Sequence, residues 1–131
     1  YLAAHHGHSR LADGGSITFF SGVLSRRPMP NSVPLAATNA AVEALARALA
    51  IDLGPRIRVN CLSPGMVNTP VYAGMPEAAR EGMFKAVGAS LPVGRVGEPE
   101  DIAAATIMLA TNGFVTGVTL DVDGGYMSGK K

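Results

Sequence analysis

The stretch IRVNCLSPG, residues 57–65, predicts a strand that ends abruptly. Its first six residues form a mainly apolar run, which follows the helix-terminating pair Gly54-Pro55 and is closed by Ser63-Pro64-Gly65. Ser16 to Phe20 form a second short run, β-branched and aromatic, between two Gly-containing pairs. A run of this kind, without alternating polar residues, is typical of a strand that is covered on both faces, which favours a parallel sheet.

The clearest helical pattern of the chain lies between these strands, from Asn31 to Leu53. Asn31 or Ser32 can cap the helix, and Pro34 suits its first turn. Apolar residues then recur at helical spacing along one face. This face consists of Val42, Leu45, Ala46, Leu49 and Leu53.

Three more elements follow the second strand. Glu77 to Phe84 predict a short helix, and the acidic segment Glu98 to Asp101 begins another helix that continues through Leu109. Val118 to Val122 alternate as a third strand.

This order of strands and helices requires crossover connections between parallel strands. The sequence therefore predicts an α/β fold with about three strands, flanked by helices, that form half of a doubly wound parallel sheet. In such sheets ligands bind beyond the carboxyl ends of the strands, so the segments after Phe20 and after Leu62 are the expected positions for chemistry.

The composition excludes several classes of function. The 131 residues suit one domain, and 11 basic against 10 acidic side chains do not provide the concentrated positive charge that binds nucleic acid. Every apolar stretch is well short of the ~20 residues that span a bilayer, so we expect no membrane segment. The single cysteine, Cys61, cannot form an intramolecular disulfide, which fits a reducing cytoplasm.

The two ends of the chain lead to further expectations. The chain begins with Tyr1 and shows no secretory signal pattern, so its start looks like an interior point of a longer chain. Tyr1 to Leu11 predict the end of a helix, and His5, His6 and His8 do not provide the i,i+4 pair or the acidic partner of a metal site. We expect no metal there, and we expect residues 127–131 to form a disordered tail.

Four segments, in order along the chain, resemble motifs of the short-chain dehydrogenase/reductase family. They are GSI at 15–17 with the helix start NAAVEAL at 39–45, RVNCLSPGMVNTP at 58–70, PVGRVGEPEDIA at 92–103 and TGVTLDVDGG at 116–125. The resemblance implies that residues 1–131 are the C-terminal portion of a Rossmann-like domain that binds NAD or NADP. The family's phosphate-binding turn and the adenosine half of its cofactor site would precede Tyr1.

The resemblance also assigns the positions of the family's catalytic residues. Its Tyr and Lys positions fall on Leu35 and Asn39, and its Ser position falls on Gly22, next to Ser21. The family's phenol gives or takes a proton while a neighbouring ammonium lowers its pKa. Leucine can do neither, and an amide has no charge with which to tune an acid. Ser21 is the remaining catalytic candidate, with a strand-end hydroxyl that bonds to the backbone as the alternative, and Tyr72 is a candidate replacement acid.

The segment after the second strand matches the family's nicotinamide-binding loop. The resemblance implies cofactor contacts from Pro64, Gly65, Val67 and Thr69, with the backbone of Val67 and the hydroxyl of Thr69 on the carboxamide. Glycine permits the close backbone approach that such contacts need. A simple strand-ending turn is the alternative.

Three functions remain open at this point. The first is an NAD(P)-dependent oxidoreductase for a small alcohol or carbonyl substrate with a degenerate catalytic triad. The second is a non-catalytic relative that binds a dinucleotide or a protein, and the third is an inactive truncated fragment. The resemblance also implies a homo-oligomer, formed through the helix that contains Leu45 and Leu49 and through the last strand.

Overall fold

Three parallel strands form the centre of the protein. The computed structural model describes residues 1–129, and within them the strands are β1 (Ser16–Phe20), β2 (Arg58–Pro64) and β3 (Thr119–Val122), in the order β1-β2-β3. Ile17 is paired with Val59 in the first register, and Leu62 is paired with Leu120 in the second. The predicted strands and their parallel arrangement are confirmed.

The described residues also form four helices, α1 (Leu2–Gly7), α2 (Val33–Leu53), α3 (Glu77–Ser90) and α4 (Pro99–Thr111). Ser32 is at the N-cap position of α2, but its hydroxyl bonds to the backbone of Met29 and does not cap the helix. The helix ends where Gly54-Pro55 interrupts it, as the sequence predicts. The helix predicted at Glu77 continues for six residues beyond Phe84, to Ser90. Short 3-10 turns are present at His8–Arg10, Val23–Ser25, Pro70–Tyr72 and Tyr126–Ser128.

The sheet is covered on both faces. Ala46 and Leu49 of α2 pack on one face against Ile57, Val59 and Cys61 in a cluster of buried residues. The other face is covered by α4. The side chain of Arg58 donates to the carbonyl oxygens of Leu109 and Ala110 near the end of that helix. This two-sided cover explains the uninterrupted apolar runs in the strands. Burial also raises the pKa of the Cys61 thiol, as expected for a small core residue.

Polar groups on the covered strand are paired with the loop that follows α4. The fully buried Asn60 donates from Nδ2 to the carbonyl of Val115 at 3.0 Å and accepts from the N–H of Val118 at 3.3 Å. The hydroxyl of Thr116 accepts from the N–H of Val59 at 3.1 Å. The hydroxyl of Thr116 and the backbone of Val115 and Val118 therefore hold β3 beside β2.

At the two ends of the chain, the structure differs in part from what the sequence predicts. The helix near the N-terminus occupies only Leu2–Gly7, and a 3-10 turn follows it. The predicted tail at 127–131 includes Met127 and Ser128, which belong to a 3-10 turn, and Lys130 and Lys131, which lie outside the described residues. Within residues 1–129, no helix is both long and apolar enough to span a bilayer, and His, Cys, Asp and Glu side chains form no cluster that could hold a metal ion.

We expect Leu109→Ala to lower the free energy of unfolding by about 2–5 kcal/mol, because Leu109 is fully buried and its truncation leaves a cavity. Ile107→Ala on the same helix is the control, since that side chain is 62% exposed and its loss should cost less than about 1 kcal/mol. Urea unfolding measures both values. Equal effects of the two substitutions would show that α4 does not pack as described.

Candidate active site

Three loops meet at the carboxyl ends of the strands. The N–H of Ser21, just after β1, donates to the carbonyl of Leu62 at 2.9 Å, and the N–H of Gly65, just after β2, donates to the carbonyl of Val122 at 3.0 Å. The ladder thus continues past each strand end and holds the loops together. This is the edge of a parallel sheet at which ligands bind.

Gly65 lies where the backbone of two loops comes closest. A Cβ atom at this position would be 2.8 Å from the Cα atom of Asp123, so a side chain does not fit. Asp123 in turn accepts from the N–H groups of Gly125 and Met127, both at 2.8 Å. The Pro64-Gly65 turn is therefore fixed against the segment that follows β3.

The loop that follows Gly65 is attached to the start of α4 by a short parallel bridge. The N–H of Asn68 donates to the carbonyl of Gly97 at 2.8 Å, and the N–H of Gly97 donates to the carbonyl of Met66 at 2.9 Å. In a parallel bridge these bonds leave the N–H and C=O of the residue between them, here Val67, directed away from the partner. Within residues 1–129 neither group of Val67 makes a protein hydrogen bond, and neither does the hydroxyl of Thr69.

An ion pair between Arg95 and Asp101 holds the segment that forms this bridge. Arg95 donates to both carboxylate oxygens of Asp101, at 2.7 and 2.9 Å, and Asp101 also accepts from the N–H of Glu98 at 2.8 Å in a capping box. The Arg95 guanidinium and the Glu98 N–H hold the pKa of Asp101 well below its usual range. Glu98 accepts from the side chain of Asn68 at 3.2 Å. The acidic residues at the start of α4 thus hold the loop that contains Val67 in place. This role is additional to their predicted effect on the helix dipole.

Two adjoining cavities flank the Pro64-Gly65 turn. The smaller has a volume of about 390 Å³ and is lined by Pro64, Gly65, Val67, Thr69, Val71, Tyr72, Pro99 and Ile102. All four predicted cofactor-binding residues line it. The larger has a volume of about 680 Å³, and it is bordered by the predicted catalytic positions Ser21, Gly22, Leu35 and Asn39. Pro64, Gly65 and Tyr72 border both cavities.

The three positions that the resemblance assigns to the family's catalytic residues all border the larger cavity, and none of them is an acid. Leu35 and Asn39 are four residues apart on one face of α2. A Cβ atom at Gly22 would lie 3.0 Å from Nδ2 of Asn39 and 3.8 Å from the carbonyl oxygen of Pro64. The three positions are therefore neighbours, but they contribute an alkyl side chain, an amide and a bare backbone. Tyr72, the predicted substitute, borders the same cavity.

The hydroxyl of Ser21 is committed to a neighbour on α2. Its Oγ donates to Oε1 of Glu43 at 3.1 Å, and Ser25 donates to the same oxygen at 2.6 Å. Glu43 is only 4% exposed, so this carboxylate needs both donors. Ser21 borders the larger cavity, yet its hydroxyl holds the loop after β1 against α2.

Glu43 belongs to a network that the sequence analysis missed. Nε of Arg26 lies 3.4 Å from Oε2 of Glu43, its guanidinium forms a two-point ion pair with Asp121 of β3, and it donates to Oγ of the buried Ser63 at 3.1 Å. A single arginine therefore joins the loop after β1 to α2, β2 and β3. The available signal was an acid at position 43, three residues before Ala46 on the buried face of the helix.

A second arginine was also missed. Arg27 is half-buried and borders the larger cavity, and its guanidinium carbon lies 4.4 Å from the ring centroid of Tyr126. Tyr126 is placed there by Gly125, which has a φ of 87° and at which a Cβ atom would be 2.6 Å from Cγ of Pro92. The DGG segment thus directs the chain back over the cavity.

The chain is similar in sequence to known proteins. The family model described as enoyl-(acyl carrier protein) reductase matches residues 1–127. The chain is 37% identical over 117 residues to a 3-oxoacyl-(acyl-carrier-protein) reductase of Chlamydia muridarum, covering 87% of this chain and 46% of that protein. It is 42% identical over 118 residues to a 3alpha-hydroxysteroid dehydrogenase of Mediterraneibacter gnavus, covering 88% of this chain and 46% of that protein.

Solved structures are also similar to the chain. One is a small-chain dehydrogenase in complex with NADPH, with 48% identity and a TM-score of 0.92, covering 98% of this chain and 58% of the other. Another is the aldohexose dehydrogenase of Thermoplasma acidophilum in ligand-free form, with 27% identity and a TM-score of 0.88, covering 98% of this chain and 55% of the other. The chain spans about half the length of the curated relatives it matches.

We expect Asp101→Asn to destabilise the protein at neutral pH and to matter less in acid. A carboxyl whose folded-state pKa is lowered contributes stability above its unfolded-state pKa, near ~4, and this contribution declines as the pH falls from there through the folded-state value. Urea unfolding midpoints of the wild type and the variant should therefore converge as the pH decreases. Glu100→Gln in the same helical turn is the control, and a difference for Asp101→Asn that is constant with pH would contradict the role of the ion pair.

Proposed function

We propose that this chain, which belongs to the short-chain dehydrogenase/reductase family, forms one half of an NAD(P)-dependent oxidoreductase. This half would bind the nicotinamide and the substrate. The reaction would interconvert a small alcohol and its carbonyl compound. NAD or NADP would be the cofactor, and the proton chemistry would not use the usual Tyr and Lys. The cofactor's phosphate and adenosine contacts would come from a part of the whole protein outside this chain.

The loop from Pro64 to Thr69 is the observation on which this proposal depends. A carboxamide has both donors and an acceptor, and the main chain of Val67 offers one group of each kind beside the smaller cavity. Thr69 adds a hydroxyl that can donate or accept. These residues fit a nicotinamide carboxamide, and a similar structure with 48% identity is a small-chain dehydrogenase in complex with NADPH, which supports NAD(P) as the cofactor.

The chain's own residues would bind, orient and shield the reactants. Reduced nicotinamide supplies a hydride when it is bound. The apolar side chains of Val71 and Ile102 border the smaller cavity and would keep water away from the ring. Because Gly22, Leu35 and Asn39 provide no acid, the proton would come from another group, and Tyr72 is placed for this since it borders both cavities.

The non-catalytic alternative is favoured by the same three positions. A protein that only binds a dinucleotide needs the main chain of Val67 but no acid, and Gly22, Leu35 and Asn39 are consistent with that. The fragment alternative is favoured by β1, which hydrogen-bonds only to β2 among the described residues and so presents an open edge.

A homo-oligomer in the cytoplasm stays part of the proposal. Leu49 is buried in this chain, while Leu45 is partly buried against the core and keeps an exposed part. An interface through α2 would use Leu45 together with outer residues of the helix, of which Ile51 is 82% exposed.

NADPH titration and deuteride transfer test the proposed function in the whole protein. We expect saturable enhancement of nicotinamide fluorescence, and stereospecific transfer of deuterium from NADPH labelled at C4 to a carbonyl compound. Transfer would eliminate the non-catalytic alternative. Saturable binding with no transfer across a broad carbonyl panel would favour that alternative, and the lack of any binding of NADPH or NADH would refute the proposal.

Restoring the family's acid tests the role of the altered positions. The double variant Leu35→Tyr with Asn39→Lys should raise kcat for carbonyl reduction by about 100-fold or more, because a phenol beside an ammonium becomes an acid near working pH. Leu35→Phe with Asn39→Lys is the matched control without a hydroxyl. Equal kcat values for the two double variants would show that proton transfer does not limit the reaction at this position.

A further inference from the structure

The larger cavity contains a positive charge that no acidic group within residues 1–129 neutralises. Among the described residues that border it, Arg27 is the one charged side chain. The ion pairs formed within residues 1–129 involve Arg26, Arg56, Arg80 and Arg95, and none involves Arg27. A half-buried charge without a counter-ion is costly, which points to a ligand that supplies one.

The neighbouring arginine shows what a purely structural role looks like in this loop. Arg26 contacts two carboxylates and a buried hydroxyl, so its donors are occupied by Glu43, Asp121 and Ser63. Among the described residues, Arg27 donates only to the carbonyl oxygen of Tyr126, and its guanidinium carbon lies over the ring of the same residue. A guanidinium has five N–H donors, so several remain for a ligand.

The contact with Tyr126 orients Arg27 without neutralising it. A cation over an aromatic ring is attracted to the ring, and the carbonyl accepts a single hydrogen bond. Both contacts hold the side chain in place and leave its full charge. Less mobility is lost when such a prepositioned group binds an anion.

The rest of the cavity is mainly apolar. Its volume of about 680 Å³ is within the range of sites for small organic ligands, roughly 300–1,000 Å³. The apolar walls include Val23, Leu24, Met29, Leu35, Val87 and Leu91. On one side the cavity reaches Pro64 and Gly65, next to the proposed nicotinamide position.

We propose that this cavity binds an apolar organic acid whose carboxylate is held by Arg27. A planar guanidinium matches a carboxylate in a two-point contact, and one positive charge balances one negative charge. A phosphate group, with a charge of about −1.5 to −2 near neutral pH, would need further cations that the cavity does not offer. Resting on the proposed function, the substrate is then an oxo or hydroxy acid with an apolar body.

Two matched probes test the charge requirement in the whole protein, with and without NADPH. Naphthalene-2-carboxylate and naphthalene-2-carboxamide have the same apolar body, and isothermal titration gives their Kd values. The wild type should bind the carboxylate about tenfold or more tightly than the amide. Arg27→Gln should remove this preference and leave amide binding within about twofold, while Arg27→Lys should keep part of the preference because it retains the charge.

Lys85→Gln is the control, because it removes one positive charge from an exposed position on α3 outside the cavity. It should leave both Kd values unchanged. The proposal is overturned if Arg27→Gln weakens both probes equally, which would mean that Arg27 only supports Tyr126. It is also overturned if the wild type shows no preference, or if neither probe binds.

The outcomes separate this inference from the proposed function. If NADPH does not bind but the carboxylate preference depends on Arg27, the acid-binding site stands and the oxidoreductase proposal fails. If NADPH binds and deuteride is transferred while the two probes bind alike, the oxidoreductase proposal stands and the acid-binding site is refuted.

Discussion

The burial of β2 on both faces and both edges is the constraint on which the rest of the structure depends. Val59 to Ser63 are fully buried, so each polar group in this segment must find a partner inside the protein. Asn60 takes its partners from the loop before β3, and Ser63 takes its partner from the loop after β1. The central strand thereby determines where its two neighbours and their loops lie.

The same requirement builds the rigid base of the candidate site. The buried Glu43 is tolerable only because Arg26 supplies an opposite charge and Ser21 and Ser25 supply hydroxyl donors. The network fixes the loop that contains Gly22 and Arg27 relative to α2 and β3. On the other side, Arg95 and Asp101 fix the loop that contains Val67. The cavities lie between these two anchored loops.

This division separates binding from proton chemistry. In the proposed function, the nicotinamide would be held mainly by main-chain atoms of the loop that contains Val67, which a change of side chain does not remove. The family's proton donors are side chains, and the resemblance assigns their positions to Leu35 and Asn39. A family fold can therefore keep a cofactor-binding loop while its acid changes. Arg27 adds a feature of its own, since it introduces a charge close to the altered positions.

The strands, the long helix α2 and the family could be predicted from the sequence, because apolar runs, Gly-Pro interruptions and four ordered motifs are local signals. It also placed Pro64, Gly65, Val67 and Thr69 together, since one loop contains them all. The three-dimensional fold was needed to show that Ser21 bonds to Glu43, that Arg26 joins four elements and that Arg27 borders the cavity. The contacts of Ser21 and Arg26 link residues far apart in the chain, up to 95 positions for Arg26 and Asp121, and local periodicity holds no information about partners at such separations.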